Sequence, residues 1–427
     1  MTLVSGRNTR SSGFAREITM KYRAGFISAL FAMAGNAWAD ETIRDALRVE
    51  SSPLTRIEVQ IDASEFPEAA AAAEQLVEEI EDRSHRHDIE LAQPLMLLGD
   101  ARLGMADVVG ALDAYDRSLL ITRVNKGLFT PEQVEAVYRE ATAYAALGNR
   151  EVANDRHEYA FNIMVRAYGN DDPKLIPGLF TLADWYNTER NIFLARRLLG
   201  RAVLLGKRHL PADDPQTIRA LKGLARTFRE ERFPTSVSER GPASDSPSYR
   251  DNRFHNVQLN NFSPGERALI EVINIEMAKP EGSDEEIAGA MLELADWYLL
   301  FEKYNRAFPL YTRIWELLES DPEGLNSVFK DPTPLYLPLP PPPIPAVGIT
   351  EDGVVELALT VSDRGLVSEL STLRSEPEGM MEFKVRKATR RARYRPAFVD
   401  ALPVPTEGVR VEYRFPYKPD EKAAPAT

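Results

Sequence analysis

The stretch Leu182-Ala183-Asp184-Trp185-Tyr186 recurs unchanged as Leu294-Ala295-Asp296-Trp297-Tyr298. A second motif, Asp171-Asp172-Pro173, returns 42 residues later as Asp213-Asp214-Pro215. Apolar residues follow each Asp-Asp-Pro motif at spacings of three, four and seven, which is the pattern of one face of an amphipathic helix. The sequence therefore predicts a repeated helical unit about 42 residues long.

Small residues recur at matching places in these predicted helices. Three lie in first helices of a unit and two lie, twelve residues on, in second helices: Ala183, Ala225, Ala295, Ala195 and Ala307. The large residues Leu199 and Tyr311 follow four positions after Ala195 and Ala307. Small residues let two antiparallel helices approach closely, and the next helix pair can then stack on the first. We expect Leu182, Tyr186, Leu294 and Tyr298 to pack in the same contacts.

The pattern resembles tetratricopeptide repeats in the longer form found in kinesin-light-chain-like arrays. Earlier units fit it through Leu98-Gly99 and Tyr115, and through Ala141 with the turn Gly148-Asn149. The resemblance implies an α-solenoid of five stacked helix pairs from Pro94 to Leu318, preceded by an alanine-rich helix Pro67–Arg83, within a domain at 67–320. We expect a disordered insertion at 234–262, after which a helix restarts with Ser263 as its N-cap. A non-repetitive helical domain is the alternative.

Such solenoids bind proteins or extended peptides on the surface that their first helices line. Asp184 and Asp296 occupy the same repeat position and are candidates for this groove. A solvated or locally capping role for each aspartate is the alternative. We interpret Trp185 and Trp297 as packing residues.

The N-terminal region contains the elements of an export signal. Lys21 and Arg23 follow Met20, and an apolar run at 24–34 leads to Ala37-Trp38-Ala39. This order predicts a signal peptide at 20–39 that is cleaved after Ala39. Residues 1–19 would then be a disordered upstream extension, residues 40–66 an N-terminal segment, and the mature protein periplasmic. A buried amphipathic helix and an inner-membrane anchor through 24–39 are the alternatives.

Composition excludes several classes of function. The chain of 427 residues has 52 Lys and Arg against 65 Asp and Glu, a net charge of −13, which disfavours nucleic acid as a partner. It has no cysteine and five histidines. The sequence contains no phosphate-binding loop, nucleophile elbow or zinc-binding histidine pair. We therefore predict no catalytic residue, cofactor, metal or small-molecule substrate.

The last quarter of the chain differs in composition from the helical region. Prolines dominate 331–345, and we expect a proline-rich linker at 321–345 in an extended, semi-rigid conformation. Strand-type residues follow at 354–361, with a hairpin turn at Ser362-Asp363-Arg364-Gly365. A second strand at 366–373, a helix and an alternating strand Val409–Phe415 complete a small α+β domain of order β-β-α-β.

Residues 346–417 resemble the C-terminal domain of the energy transducer TonB family. The matching features are the first strand and its turn, the helix Met381–Arg393, Tyr394 and Pro396 after that helix, and the closing strand. The resemblance implies that a partner peptide adds a strand to the sheet edge, with Val409, Val411, Tyr413 and Phe415 as the candidate edge. Residues 418–427 would be a disordered tail.

Seven basic residues surround the predicted helix of this domain: Lys384, Arg386, Lys387, Arg390, Arg391, Arg393 and Arg395. They form a solvated helix face, or they contact an acidic polymer, lipid headgroups or the acidic solenoid.

Together these features predict a non-enzymatic periplasmic adaptor that binds protein or peptide partners of the cell envelope, an outer-membrane protein among them. A component of TonB-dependent, energy-coupled outer-membrane transport is the alternative. A hydrolase that uses solenoid carboxylates is a second alternative.

Overall fold

A computed structural model describes residues 52–234, 261–343 and 351–418. The chain divides into two compact units between Gly169 and Asn170. Within the described ranges, no helix combines the length and the apolar character that crossing a membrane requires. The predicted signal peptide at 20–39 and nearly all of the predicted insertion at 234–262 lie outside the described residues.

The N-terminal unit consists of six described helices. They are α1 (Pro53–Asp62), α2 (Phe66–Arg83), α3 (Ala92–Gly104), α4 (Val108–Lys126), α5 (Val134–Ala146) and α6 (Arg150–Tyr168). Helices α3 and α4 pack as one pair and α5 and α6 as the next, while α2 packs on α3. The alanine-rich helix begins at Phe66, one residue before the predicted start, and α1 was not predicted.

The C-terminal unit continues the helix pairs and carries the strands. Its helices are α7 (Ile176–Thr188), α8 (Ile192–His209), α9 (Pro215–Arg232), α10 (Phe262–Ala278), α11 (Asp284–Leu300), α12 (Tyr304–Leu318) and α13 (Pro322–Phe329). Helices α7 and α8, α9 and α10, and α11 and α12 are paired, and successive pairs stack through α8 on α9 and α10 on α11. The fold is mainly α-helical, with stacked helix pairs, as predicted.

The same turn joins the two helices of four pairs. Its second residue has a left-handed backbone in each case, at Ala106, Gly148, Arg190 and Glu302. The first three are spaced by 42 residues. An Asp or Asn follows in three of these turns, and its side chain accepts a hydrogen bond from the backbone N–H three residues later, which caps the second helix. The repeat is thus fixed by local geometry as well as by packing.

The repeat positions selected from the sequence lie in the interior. Ala183, Ala195, Ala295 and Ala307 are completely buried. The other five, Leu182, Tyr186, Ala225, Leu294 and Tyr298, are at most 8% exposed. Trp185 and Trp297 are buried as well. The helix after the insertion begins at Phe262 with Asn261 at its N-cap, so the prediction of Ser263 as N-cap was wrong.

The strands form three small sheets. They are β1 (Thr333–Tyr336), β2 (Glu351–Val361), β3 (Val367–Glu376), β4 (Arg393–Arg395), β5 (Ala397–Val399), β6 (Leu402–Val404) and β7 (Thr406–Tyr417), with helix α14 (Glu382–Thr389) after β3. The main sheet is antiparallel in the order β3-β2-β7, and β1 pairs with β4 and β5 with β6. Val355, Leu357, Val385, Tyr413 and Phe415 form its core against α14.

Two predictions for this region differ from the structure. Helix α14 ends at Thr389, because 393–395 extend as β4 to pair with β1, so the predicted helix to Arg393 was too long. The described part of 321–345 contains helix α13 and strand β1, and Leu337 and Leu339 pack on the main sheet. This part of the proline-rich segment is therefore packed against the protein, which differs from a spacer.

One buried residue breaks the repeat pattern. Glu140 in α5 occupies the position of Leu182 and Leu294, and it is only 1% exposed. Its closest cationic atom is Arg156 Nε, 3.5 Å from Glu140 Oε2. Burial, and then the neighbouring Asp116, raise the pKa of Glu140 to about 8. The carboxyl group is thus protonated in the folded protein at pH values where the unfolded chain has released the proton.

We predict that Glu140→Leu stabilises the N-terminal unit and flattens its pH dependence. The native state binds this proton more tightly, so stability falls as pH rises from about 4.5 to about 8. Leucine removes this pH-dependent loss, so the free energy of unfolding should rise by roughly 1–4 kcal/mol near pH 8. Calorimetric unfolding of the full chain at both ends of this range measures the effect. Equal pH dependence in the wild type and the variant would refute the assignment.

Candidate functional site

The two aspartates proposed for the groove have different environments. Asp184 in α7 is exposed, and Arg219 Nη2 from α9 lies 3.4 Å from its Oδ2. Arg219 also lies over the ring of Phe180, 4.3 Å from its centroid. Lys222 of α9 pairs with Glu293 of α11 at 2.8 Å. The first helices therefore present a surface of alternating charges, and Asp184 belongs to it.

Asp296 is instead enclosed by the protein itself. Tyr311 donates a hydrogen bond to its Oδ1 at 2.7 Å, and Arg395 binds both carboxylate oxygens, Nε to Oδ1 and Nη2 to Oδ2, each at 2.9 Å. Arg395 Nη1 also donates to the Val328 carbonyl at 2.8 Å. Burial, and then Asp296, raise the pKa of Tyr311 well above its usual value, so the phenol keeps its proton. Both carboxylate oxygens of Asp296 are therefore engaged by groups of this chain.

The same arrangement occurs in the N-terminal unit. Asp100 accepts a hydrogen bond from Tyr115 at 2.8 Å, and Arg139 Nε lies 2.8 and 3.0 Å from its two oxygens. In both cases the tyrosine follows the aspartate by 15 residues, from the first helix of a pair to the second. Arg139 comes from α5, the first helix of the next pair. The guanidinium group bound to Asp296 thus comes from strand β4, whereas the one bound to Asp100 comes from the next helix pair.

Other contacts hold the small domain on the last helix pairs. Phe398 of β5 packs on Tyr311 and Phe329 with ring centroids 5.1 and 4.8 Å apart. Arg393 pairs with Glu302 in the turn of the last pair at 3.0 Å. Arg229 of α9 donates to the Leu335 carbonyl of β1 at 2.6 Å. Strands β1, β4 and β5 thus share one interface with helices α9, α11, α12 and α13.

Tyr394 and Pro396, the residues proposed as a family motif, are buried on either side of Arg395. Burial raises the pKa of Tyr394 to about 12. The Tyr394 N–H donates to the carbonyl of Gly365, whose φ of 71° supports the predicted turn. A Cβ at Gly365 would lie 1.8 Å from the Tyr394 carbonyl oxygen, so only glycine fits. The motif therefore joins the first turn of the domain to β4.

The proposed edge residues lie on strand β7. In the described part of the protein, β7 pairs with β2 alone and forms one edge of the main sheet. The side chains of Val411, Tyr413 and Phe415 are buried in the domain core, and Val409 is half-buried. These side chains stabilise the domain, so a partner at this edge would contact backbone groups and the outward side chains Arg410, Glu412 and Arg414.

The two edges of the main sheet differ in regularity. Strand β3 pairs with β2 through two register shifts, whereas β7 pairs with β2 over twelve residues with one. Bulges disturb an edge and hinder further pairing. Strand β7 is therefore the more suitable of the two for an added strand.

Sequence reasoning did not identify Arg229 or Phe398 as interface residues. It offered the acidic solenoid as one possible contact for the basic run that includes Arg395, but it did not identify Asp296 as the partner. A local signal existed for Arg395, because it lies within the otherwise mostly apolar run 392–399. Its partner Asp296 is 99 residues away, and spacing cannot reveal that pairing. Among the described residues, no group of three or more His, Cys, Asp or Glu side chains is arranged to hold a metal ion.

No family model matches the chain, and no curated protein is similar to it. Several solved structures share helical repeats with it at low identity. A kinesin-light-chain protein of Podosopora anserina with nearly identical TPR-like repeats is 16% identical, over 55% of this chain and 97% of its own, with a TM-score of 0.40. BtubC from P. vanneervenii is 14% identical, over 69% and 97%, with a TM-score of 0.41. YrrB, a TPR protein with an unusual peptide-binding site, is 15% identical, over 60% and 98%, with a TM-score of 0.33.

We predict that Asp296→Asn destabilises the C-terminal unit whereas Asp184→Asn does not. The first change leaves the Arg395 guanidinium buried without its anion, which typically costs about 3–5 kcal/mol. The second affects an exposed residue at the same repeat position and should stay within about 0.5 kcal/mol. Thermal unfolding of both full-length variants measures the difference. Equal decreases in stability for the two variants would show that the Asp296–Arg395 pair contributes nothing to stability.

We further predict that Arg395→Gln exposes residues 331–343 to proteases, because the interface loses its central contacts. Limited proteolysis with mass spectrometry would locate the new cleavage sites. Arg139→Gln is the matched control, since it removes the same contact from Asp100 in the N-terminal unit. If both variants are cleaved at 331–343 equally, the effect is not local.

Proposed function

We propose that the protein is a non-enzymatic adaptor whose helix pairs bind a protein or peptide and whose small domain binds a second, extended peptide by strand addition. The observation that carries the proposal is strand β7, a twelve-residue edge strand with buried alternate side chains and polar outward ones. An edge strand offers backbone N–H and C=O groups that an extended peptide can pair with.

The charged surface of the first helices supports the first part of the proposal. Asp184, Arg219, Lys222 and Glu293 line it from three successive pairs, so it offers both signs of charge at regular spacing. Alternating charges suit a polypeptide partner, which carries both signs, better than a polyanion.

We propose that this adaptor acts in the bacterial periplasm. There its TonB-like domain would bind partners in the outer membrane. The placement is supported by the signal-type sequence at 20–39 and by the absence of cysteine. In TonB-dependent transport, the alternative function, the chain would stay anchored to the inner membrane through 24–39.

A crosslinking experiment tests strand addition. A photo-reactive amino acid replaces Glu412 on β7, and a matched variant carries it at Arg374 on β3, the other edge; both positions are exposed. We expect the Glu412 variant to capture a short extended segment of an envelope protein, identified by mass spectrometry, and the Arg374 variant to capture none. Equal capture at both edges, or none at β7, would contradict strand addition.

N-terminal sequencing tests the location. We expect protein purified from the periplasm of an expressing cell to begin at Asp40, because the predicted cleavage follows Ala39. A mature protein that retains residues 24–39 in the membrane fraction would instead support the anchored alternative.

A further inference from the structure

The seven basic residues around α14 fall into two groups in the structure. Three are engaged within the protein. Arg395 binds Asp296, Arg393 pairs with Glu302, and Arg386 donates to the Thr372 hydroxyl at 2.8 Å and to the Leu370 carbonyl at 3.1 Å. The remaining four are Lys384, Lys387, Arg390 and Arg391, all exposed. These four have no ion-pair partner within 52–234, 261–343 and 351–418.

Packing fixes the direction in which these cations point. Val385 and Thr389 of α14 are completely buried, and Val385 belongs to the core of the main sheet. Phe383, Lys387 and Arg390 follow one another at spacings of four and three, which places them on one side of the helix. Arg390 keeps a helical backbone, and its N–H donates to the Arg386 carbonyl. The four cations thus share one outward surface.

An exposed aromatic side chain belongs to the same surface. Phe383 is 77% exposed, the largest exposure among the large apolar residues of the described chain, and Met380 is partly exposed just before the helix. We call Phe383 with Lys384, Lys387, Arg390 and Arg391 the α14 surface. A phenylalanine is ordinarily buried in a domain of this size, so an exposed one indicates a contact with a partner. Because Phe383 lies beside four unpaired cations, a suitable partner has an anionic layer that covers an apolar layer.

We propose that the α14 surface binds the face of an anionic phospholipid bilayer. The cations would contact lipid phosphates, and Phe383 would insert between the headgroups. Helix α11 and the turn after it contact the domain through Arg395 and Arg393, and not through these four cations. A charged polysaccharide would satisfy the cations but offers no apolar layer for Phe383. The chain as a whole carries −13, so its overall composition does not account for four unpaired cations on and directly after one short helix.

Vesicle flotation with the full chain tests this proposal independently of strand addition at β7. Vesicles of phosphatidylcholine that contain phosphatidylglycerol should carry the protein upward at low salt, and pure phosphatidylcholine vesicles should not. Each neutralised cation should weaken the partition coefficient about five-fold, so Lys384→Gln/Lys387→Gln/Arg390→Gln should lower it roughly a hundred-fold. Phe383→Ser should lose about ten-fold at any salt concentration, because its contribution is apolar.

The matched control is Arg83→Gln/Arg208→Gln/Arg313→Gln, which removes three charges from exposed, scattered arginines. It should float like the wild type. The residues of both triple variants are exposed, so circular dichroism and thermal unfolding should match the wild type and confirm folding. The N-terminal residues are common to all variants and cannot produce a difference between them.

Three results would overturn the proposal. The first is equal flotation with anionic and neutral vesicles, and the second is a triple α14 variant that floats like the wild type. The third is binding to soluble polyglutamate, lost in that variant, without binding to vesicles; the α14 surface would then be a site for an acidic protein segment.

Discussion

Close approach between helix backbones determines the geometry of this protein. A Cβ placed on Gly99 would lie 2.2 Å from the Tyr115 ring, and one on Gly265 would lie 2.1 Å from Trp297. The Tyr115 ring fills the space beside Gly99, so its hydroxyl group lies beyond that glycine. The Tyr115 hydroxyl therefore reaches Asp100, the residue after Gly99. The close packing of this helix pair and the Tyr115–Asp100 hydrogen bond therefore both depend on the lack of a side chain at Gly99.

A carboxylate brought inside by that packing needs a cation, because an unpaired buried charge is strongly unfavourable. Asp100 obtains it from Arg139 of the next helix pair, and Asp296 from Arg395 of the small domain. Repeat proteins need a terminal element that covers the exposed side of the last repeat. In the C-terminal unit, β1, β4 and β5 perform this function, and Phe398 adds apolar contact with Tyr311 and Phe329. The small domain is thus part of the repeat structure and not an appendage to it.

Much of this fold could be predicted from local pattern. The helix pairs follow from period and small residues, and the strands β2, β3 and β7 follow from alternation and the turn at Gly365. Interactions between distant segments could not be predicted. Asp184 and Asp296 have the same neighbours in sequence, yet Asp184 is exposed and Asp296 is mostly enclosed. The difference arises because Leu199 lies at the position that Tyr311 occupies in the last helix pair, and because β4 covers only Asp296. Strand β1 escaped prediction because proline disfavours central strands, while an edge strand such as β1 tolerates it.

The attachment of the small domain also decides how an adaptor of this kind can act. A domain on a free spacer finds partners over a range of distances, and the affinity of the second contact then depends on linker length. Here Arg395 and its neighbours fix β7 and α14 relative to helices α9, α11 and α13. Two partners bound to this unit are therefore held at one set separation, and binding selects those whose own geometry matches it. Preorganisation of this sort avoids the entropic cost of ordering a flexible tether. The Asp296–Arg395 ion pair thus contributes to recognition, because it keeps strand β7 and helix α14 in a constant orientation.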